Sequence, residues 1–343
     1  KIRPHGPPAG SGCAAAAFAA ISRPMRGLVR SIAIVATAWT LQPTSPTGMY
    51  SRAAVYDPVH AQLLVVGGYL NGRNSNDTWS LKSGRWTLLP GEGPSARAGS
   101  AITFDSQRAR VVLFGGDAAG VAFGDTWEHD GVRWTKVSEH GPSPRTLARL
   151  TYDSARRRAV LYGGLTRGAS GRPDAPAGDT WEWDGAAWTE RTAAGPGPRF
   201  LHAMAYDTAN RITVLFGGGG AMPPAADDPR GDTWEWNGAT WRRVEGPSPP
   251  ARDHAAMAFD AIGHRLLLVG GSAGPSGSLG DTWARTGSTW SRIDVTGLPA
   301  IAGHTLFFDD QSRGLRLFGG FAGPEPWSAL WTLEGQAWIR AAR

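Results

Sequence analysis

Short apolar runs stopped by glycine or aspartate recur along the whole chain, and no long stretch carries a helical period. Residues 199–244, RFLHAMAYDTANRITVLFGGGGAMPPAADDPRGDTWEWNGATWRRV, display the unit. HAMAYD is a short apolar run closed by Asp207, and ITVLFGG is a denser one stopped by two glycines. DTWEWNG enters a tight turn at Asn237-Gly238, and TWRRV leaves it. Asn-Gly suits a two-residue hairpin turn, and Asp184-Gly185 is its counterpart one unit earlier. Runs of this length bounded by turn residues predict four strands per unit, joined in antiparallel order.

The unit repeats. Tryptophans seven residues apart stand at Trp79/Trp86, Trp127/Trp134, Trp181/Trp188, Trp234/Trp241, Trp283/Trp290 and Trp331/Trp338. A double glycine precedes each pair, from Gly67-Gly68 to Gly319-Gly320, and successive units start 48 to 54 residues apart. The spacing of seven places one Trp on the third strand and the other on the fourth, across one hairpin. Arg97, Arg145, Arg199 and Arg252 each precede a strand-ending aspartate (Asp105, Asp153, Asp207, Asp260) by eight residues. Met49 and Ile301 take that place before Asp57 and Asp309. A sheet of four strands cannot bury both faces alone, so a tandem period near 50 residues predicts stacking against neighbours.

The GG-terminated strand, the DTW strand, the second Trp and the approaches PSAR, SPR, GPR and PPAR together resemble the kelch repeat over residues 49–343. The resemblance implies an all-β, kelch-type β-propeller of four-stranded antiparallel blades. Kelch domains include binding modules and enzymes, so the likeness speaks for fold and not for activity. Residues 1–48 read as a degenerate first blade, which would make seven: Trp39 lies 18 residues before Asp57, and Phe18 aligns with Phe259. Six blades with an N-terminal strand or tail is the alternative. MRGLVRSIAIVATA, from Met25, also has the basic start and short apolar run of a weak secretion signal.

Composition narrows the function classes. The one cysteine, Cys13, excludes an intrachain disulfide and a cysteine metal cluster. The formal charge is +6, but the basic residues are scattered and not gathered into a stripe, so nucleic acid is not an expected partner. No apolar run reaches the length of a membrane span. No G-x-S-x-G elbow, H-E-x-x-H or phosphate-cradling loop is present. The repeat style resembles bacterial kelch proteins and fits a cytoplasmic or an exported chain.

In kelch propellers the loops between second and third strands open on the face where each new blade begins, and the resemblance implies that this mouth is the binding surface. Arg97, Arg145, Arg199 and Arg252 fall there. They offer planar donor forks for a carboxylate, sulfate or phosphate; the stronger reading is structural, an arginine of the fold pattern that satisfies neighbouring carbonyls or pairs with an Asp. The loop from the second Gly to the first Trp spans 11 or 12 residues in four units, but 17 and 16 in the third and fourth. Asp174 and the pair Asp227 and Asp228 belong to these inserted loops and are candidate ligand contacts. His202 and His304 stand five residues before their blade aspartates, and His254 one residue earlier. Three imidazoles from consecutive blades are candidates for a divalent metal, although residues one apart on a strand point to opposite faces. No cofactor is required by the sequence. His202 and His304 are also the candidate acid–base groups.

Asp77, Asp125, Asp179, Asp232 and Asp281, which open the DTW strands, are expected to accept local backbone hydrogen bonds. The strand-ending aspartates are followed, four or five residues on, by Arg110, Arg158, Arg211, Arg265 and Arg313, predicting a turn with a cross-strand ion pair. The leading functional expectation is a propeller that binds a protein or a polar or anionic small ligand at the mouth of its central channel. The alternative is a propeller enzyme of lyase, cyclase, isomerase or mutarotase type, metal-assisted or not.

Overall fold

The computed structural model describes residues 45–46, 48–168, 174–220, 229–323 and 326–341. The degenerate blade expected over residues 1–48 lies outside the described residues, apart from its last few. The described chain is all β, with a single 3-10 turn at Gly274–Ser276 and no α-helix.

Six four-stranded antiparallel sheets follow one another among the described residues, each with its strands in sequence order. Their first strands are Ala53–Asp57, Ala101–Asp105, Arg149–Asp153, Ala203–Asp207, Ala256–Asp260 and Ala302–Asp309. The fourth sheet shows the register that the sequence foreshadows. Ala203 pairs with Phe216, Phe216 with Thr233, and Thr233 with Val244. Asp207 closes the first strand by accepting the Asn210 backbone N–H at 3.0 Å.

In the first five sheets the double glycine ends the second strand because the next sheet begins there; in the sixth the strand Gly314–Phe321 runs through it. In the fourth sheet Gly217 and Gly218 both have positive φ, 67° and 93°. Gly218 donates its N–H to the Arg252 carbonyl at 2.9 Å, and a Cβ on Gly217 would come within 2.4 Å of that oxygen. Only glycine meets both conditions.

The apolar core is divided into layers between successive sheets. Ala53, Leu64 and Val66 pack with Val111 and Leu113 of the second sheet. Val112 and Phe114 pack with Leu150 and Leu161 of the third. Val160 and Tyr162 meet Met204 and Leu215 of the fourth. Val214 and Phe216 meet Met257 and Leu268 of the fifth. Leu267 and Val269 meet Leu306 and Leu317 of the sixth. Leu63, Val65 and Trp79 of the first sheet pack with Phe307 and Phe318 of the sixth. Tyr56 and Phe307 stack there, with ring centroids 5.6 Å apart and planes 17° apart. Each large apolar side chain buried in such a layer contributes about 1.5–3 kcal/mol.

The tryptophan pair has two separate jobs. The first Trp bonds its own sheet: Trp127, Trp181, Trp234 and Trp283 donate Nε1–H to Asp125, Asp179, Asp232 and Asp281. The second reaches the preceding sheet: Trp134, Trp188, Trp241 and Trp290 donate to the hydroxyls of Thr78, Thr126, Thr180 and Thr233. The extra aromatics Trp183 and Trp236 are also buried; they donate to Glu128 and Glu182, again one sheet back. Glu182 further binds Arg156 and Arg191.

One local expectation is extended and another corrected. Asp125, Asp179, Asp232 and Asp281, which open DTW strands, take a local bond from their own backbone N–H and in addition serve an arginine and a tryptophan. At the first turn, the ion-pair partner stands three residues after Asp105 and Asp153, in Arg108 and Arg156, at 2.7 Å each. Arg110 and Arg158 instead donate to the Ala109 and Arg157 carbonyls. Only the fifth sheet shows the expected type of pair within 4 Å, Arg265 with Asp260 at 3.2 Å.

Candidate functional site

The arginines at the start of the second to fifth sheets are not presented to a ligand. Arg97, Arg145, Arg199 and Arg252 are buried to 2% exposure or less. Arg252 donates to both carboxylate oxygens of Asp281, at 2.6 and 2.9 Å, and to the Gly270 and Pro250 carbonyls, both at 3.0 Å. Arg97, Arg145 and Arg199 hold Asp125, Asp179 and Asp232 in the same two-pronged way. Each guanidinium therefore ties the approach to a sheet, the end of its second strand and the start of its third. Burial pushes the Asp281 carboxyl up, but Arg252 and the Trp283 N–H outweigh it and hold it below the ordinary carboxylate range. In the sixth sheet, Ile301 and Ala329 occupy the two clamp positions and pack in the core instead.

The loop aspartates divide. Asp174 accepts from Arg167, which also binds Asp117 in the short hairpin after the second sheet's double glycine; both contacts are 2.5 Å. The Gly168 N–H and Arg167 keep Asp174 below its usual pKa against slight desolvation. Asp227 and Asp228 lie outside the described residues.

The three histidines are not gathered, and no group of three or more His, Cys, Asp or Glu side chains among the described residues could hold a metal. His202 is wedged between glycines of two sheets: a Cβ on Gly218 would meet its Cβ at 2.8 Å, and one on Gly163 would meet Cε1 at 3.3 Å. Its ring stands edge-on to Tyr162 at 5.7 Å. His304 holds the equivalent place near Gly270 and Gly320. His254 turns away to Asp253, with Nδ1 2.8 Å from the carboxylate. Burial, then the charges of Arg149 and Arg199, hold the His202 ring well below its ordinary pKa. Burial lowers His304 to about 3, against the Val269 backbone and with help from Arg149. Both rings are neutral at pH 7.

What the first strands do enclose is a cavity of about 500 Å³, with residues from all six in its wall. One end is rimmed by backbone, an open annulus with no hydrogen bond between Gly303 and Ser51 among the described residues. Ser51, Gly99, Leu147, Leu201, His254 and Gly303 stand six residues before the six strand-ending aspartates, and all have positive φ, from 51° to 67°. Their main chains link neighbouring sheets: Gly99 donates to Ser51, Leu147 to Gly99, Leu201 to Leu147, His254 to Leu201, and Gly303 to His254. For the four non-glycine members this conformation costs roughly 1–2 kcal/mol each, and the annular hydrogen bonds offset it.

Two residues further along, the repeat places Ala53, Ala101, Ala203 and Ala256, with Thr305 in the sixth sheet. In the third sheet that place is Arg149. Its Nε donates to the His202 carbonyl at 2.9 Å. Among the described residues its two Nη groups have no hydrogen-bond acceptor and no carboxylate within 4.0 Å. Burial lowers its pKa to about 10, which leaves it charged at neutral pH. Arg52 is lowered to about 10 as well, by burial that the charge of Asp77 partly offsets. Asp310 is the one carboxylate among the described residues lining the cavity, and it belongs to the far end. Burial and the neighbouring Asp309 raise its pKa.

Arg149 and Arg52 were not among the residues singled out from the sequence. The available signal was a break in the repeat, arginine where four units have alanine. The recurring arginines drew attention because they recur, and recurrence marks the scaffold. Neither a family model nor any curated protein matches this chain.

Proposed function

We propose that the six sheets close into a six-bladed propeller of kelch type, and that the protein is a binding propeller receiving a small polar or anionic ligand in its central channel. The closure reading rests on the neighbour relations: each first strand lies beside the next, and the first sheet packs on the sixth as well as on the second. The functional reading rests on one observation, the cavity walled by all six first strands and carrying an arginine with no internal carboxylate. Pockets of this volume suit small molecules, and the described clamps leave the arginines at the start of the second to fifth sheets unavailable for recognition.

Ligand-detected NMR with pooled carboxylates, phosphates and neutral analogues tests the reading. Binding by a member of a pool is expected, and it should weaken at least tenfold in Leu147→Trp, which narrows the annulus. A chain that binds no pool member, or binds equally well in that variant, has no ligand channel of this kind.

A further inference from the structure

The cavity is chemically polarised along its length. At the annular end stands Arg149, with two Nη groups that have no acceptor among the described residues. The wall also holds Arg52, His254 and His304. Arg52 too has no carboxylate within 4.0 Å among the described residues, and its Nε and Nη1 are buried without a hydrogen-bond partner; only the charge of Asp77 acts on it from a distance. Further along the same wall the first strands contribute half-buried apolar side chains, among them Val55, Ile102, Phe104, Phe259 and Phe308. The acidic Asp310 comes five residues beyond the level of Arg149, about 16 Å along a strand at ~3.3 Å per residue.

Arg149 is half-buried, and a guanidinium partly withdrawn from water without a counter-charge gains from an anion that meets it. The clamps illustrate this, since in the same protein four buried arginines each receive a carboxylate with two parallel hydrogen bonds. Arg149 has the same donors and no such partner. One guanidinium fork matches one carboxylate. Asp310 repels a second negative charge at the far end, and the wall between them, where Phe104, Phe259 and Phe308 share a level with Tyr56, Tyr152 and Tyr206, favours a hydrocarbon or aromatic body.

We propose that the cavity is a site for a monocarboxylate with an apolar body, its carboxylate paired with Arg149 and its tail lying along the Phe104, Phe259 and Phe308 wall. This inference rests on the channel reading above. Arg149 is the residue that selects charge, and the phenyl groups set the length and width of the tail.

Isothermal titration with octanoate, octanamide and inorganic phosphate tests it. Octanoate should bind wild type at least tenfold more tightly than octanamide, and phosphate should bind weakly or not at all. Arg149→Gln should lose tenfold or more for octanoate and leave octanamide unchanged, and Arg149→Lys should recover most of the loss. Equal binding of octanoate and octanamide by wild type overturns the carboxylate assignment while leaving the channel reading intact, and needs no variant to fold. Tight phosphate binding without octanoate binding overturns the apolar-body assignment. Failure of all three probes overturns the monocarboxylate assignment; the channel reading falls only if the pooled ligands fail as well.

Discussion

Replacing Arg252 with Ile and Asp281 with Ala copies into the fifth sheet the pair that the sixth already carries, Ile301 and Ala329. Asp281→Ala alone strands a guanidinium with 0% side-chain exposure. It removes two charge-assisted hydrogen bonds and the acceptor of the Trp283 indole. Loss of one partner from a buried pair costs about 3–5 kcal/mol. Arg252→Ile alone leaves a carboxylate that is only 15% exposed, plus the Gly270 and Pro250 carbonyls without their donor. A loss of about 2–4 kcal/mol follows from the unpaired groups. The double variant has no buried charge left, and two apolar side chains in its place. It should be more stable than either single variant, with a coupling energy of roughly 2–3 kcal/mol in the cycle. Urea unfolding followed by tryptophan fluorescence and by circular dichroism measures all four proteins. Coincident transitions from the two probes license the free energies. Additive losses, with the double variant the least stable of the four, would refute the claim that the clamp is a mutually dependent pair.

Acid should weaken the fold through its histidines. Unfolded imidazoles titrate near ~6.5, whereas folded His304 does so at about 3 and His202 well below its ordinary value. The unfolded chain therefore binds more protons below pH ~6.5, and stability is full above that pH and falls as pH drops toward 3, by up to ~1.4 kcal/mol per unit for each ring. His202→Gln/His304→Gln should flatten the urea midpoint between pH 6.5 and 4.5; an unchanged slope counts against the assignment. Glu182→Ala, which leaves Arg156, Arg191 and Trp236 without their shared acceptor, should cost about 3 kcal/mol or more by thermal or urea unfolding. Trp188→Phe should cost about 1–2 kcal/mol through the lost bond to Thr126, and Trp188→Phe/Thr126→Val should recover part of it. Exposed Arg157 has φ 57° in the first turn of its sheet, so Arg157→Gly should raise stability by about 1 kcal/mol, and a lower melting temperature would contradict that.

Strand boundaries, the four-strand unit and its sixfold recurrence were all legible in the chain, because local turn chemistry and short apolar runs carry them. Asn237-Gly238 and the aspartates closing the first strands act within a few residues of themselves. The seven-residue Trp spacing was equally clear, but its meaning was not: Trp188 bonds Thr126, 62 residues away. The structural role of the clamp arginines was the stronger of two readings, but their partners were not legible, since nothing local says that Arg145 meets Asp179. Burial decides it, and burial is a property of the stacked sheets. The same holds for His202 and His304, which share a position in the repeat yet are wedged between glycines of adjacent sheets, away from any common centre. Sequence alone thus determined the repeating scaffold, whose information lies in what recurs. Tertiary structure decided which polar groups were left over once the scaffold had satisfied its own, and in the wall of the enclosed cavity it left Arg149 and Arg52 without a paired carboxylate.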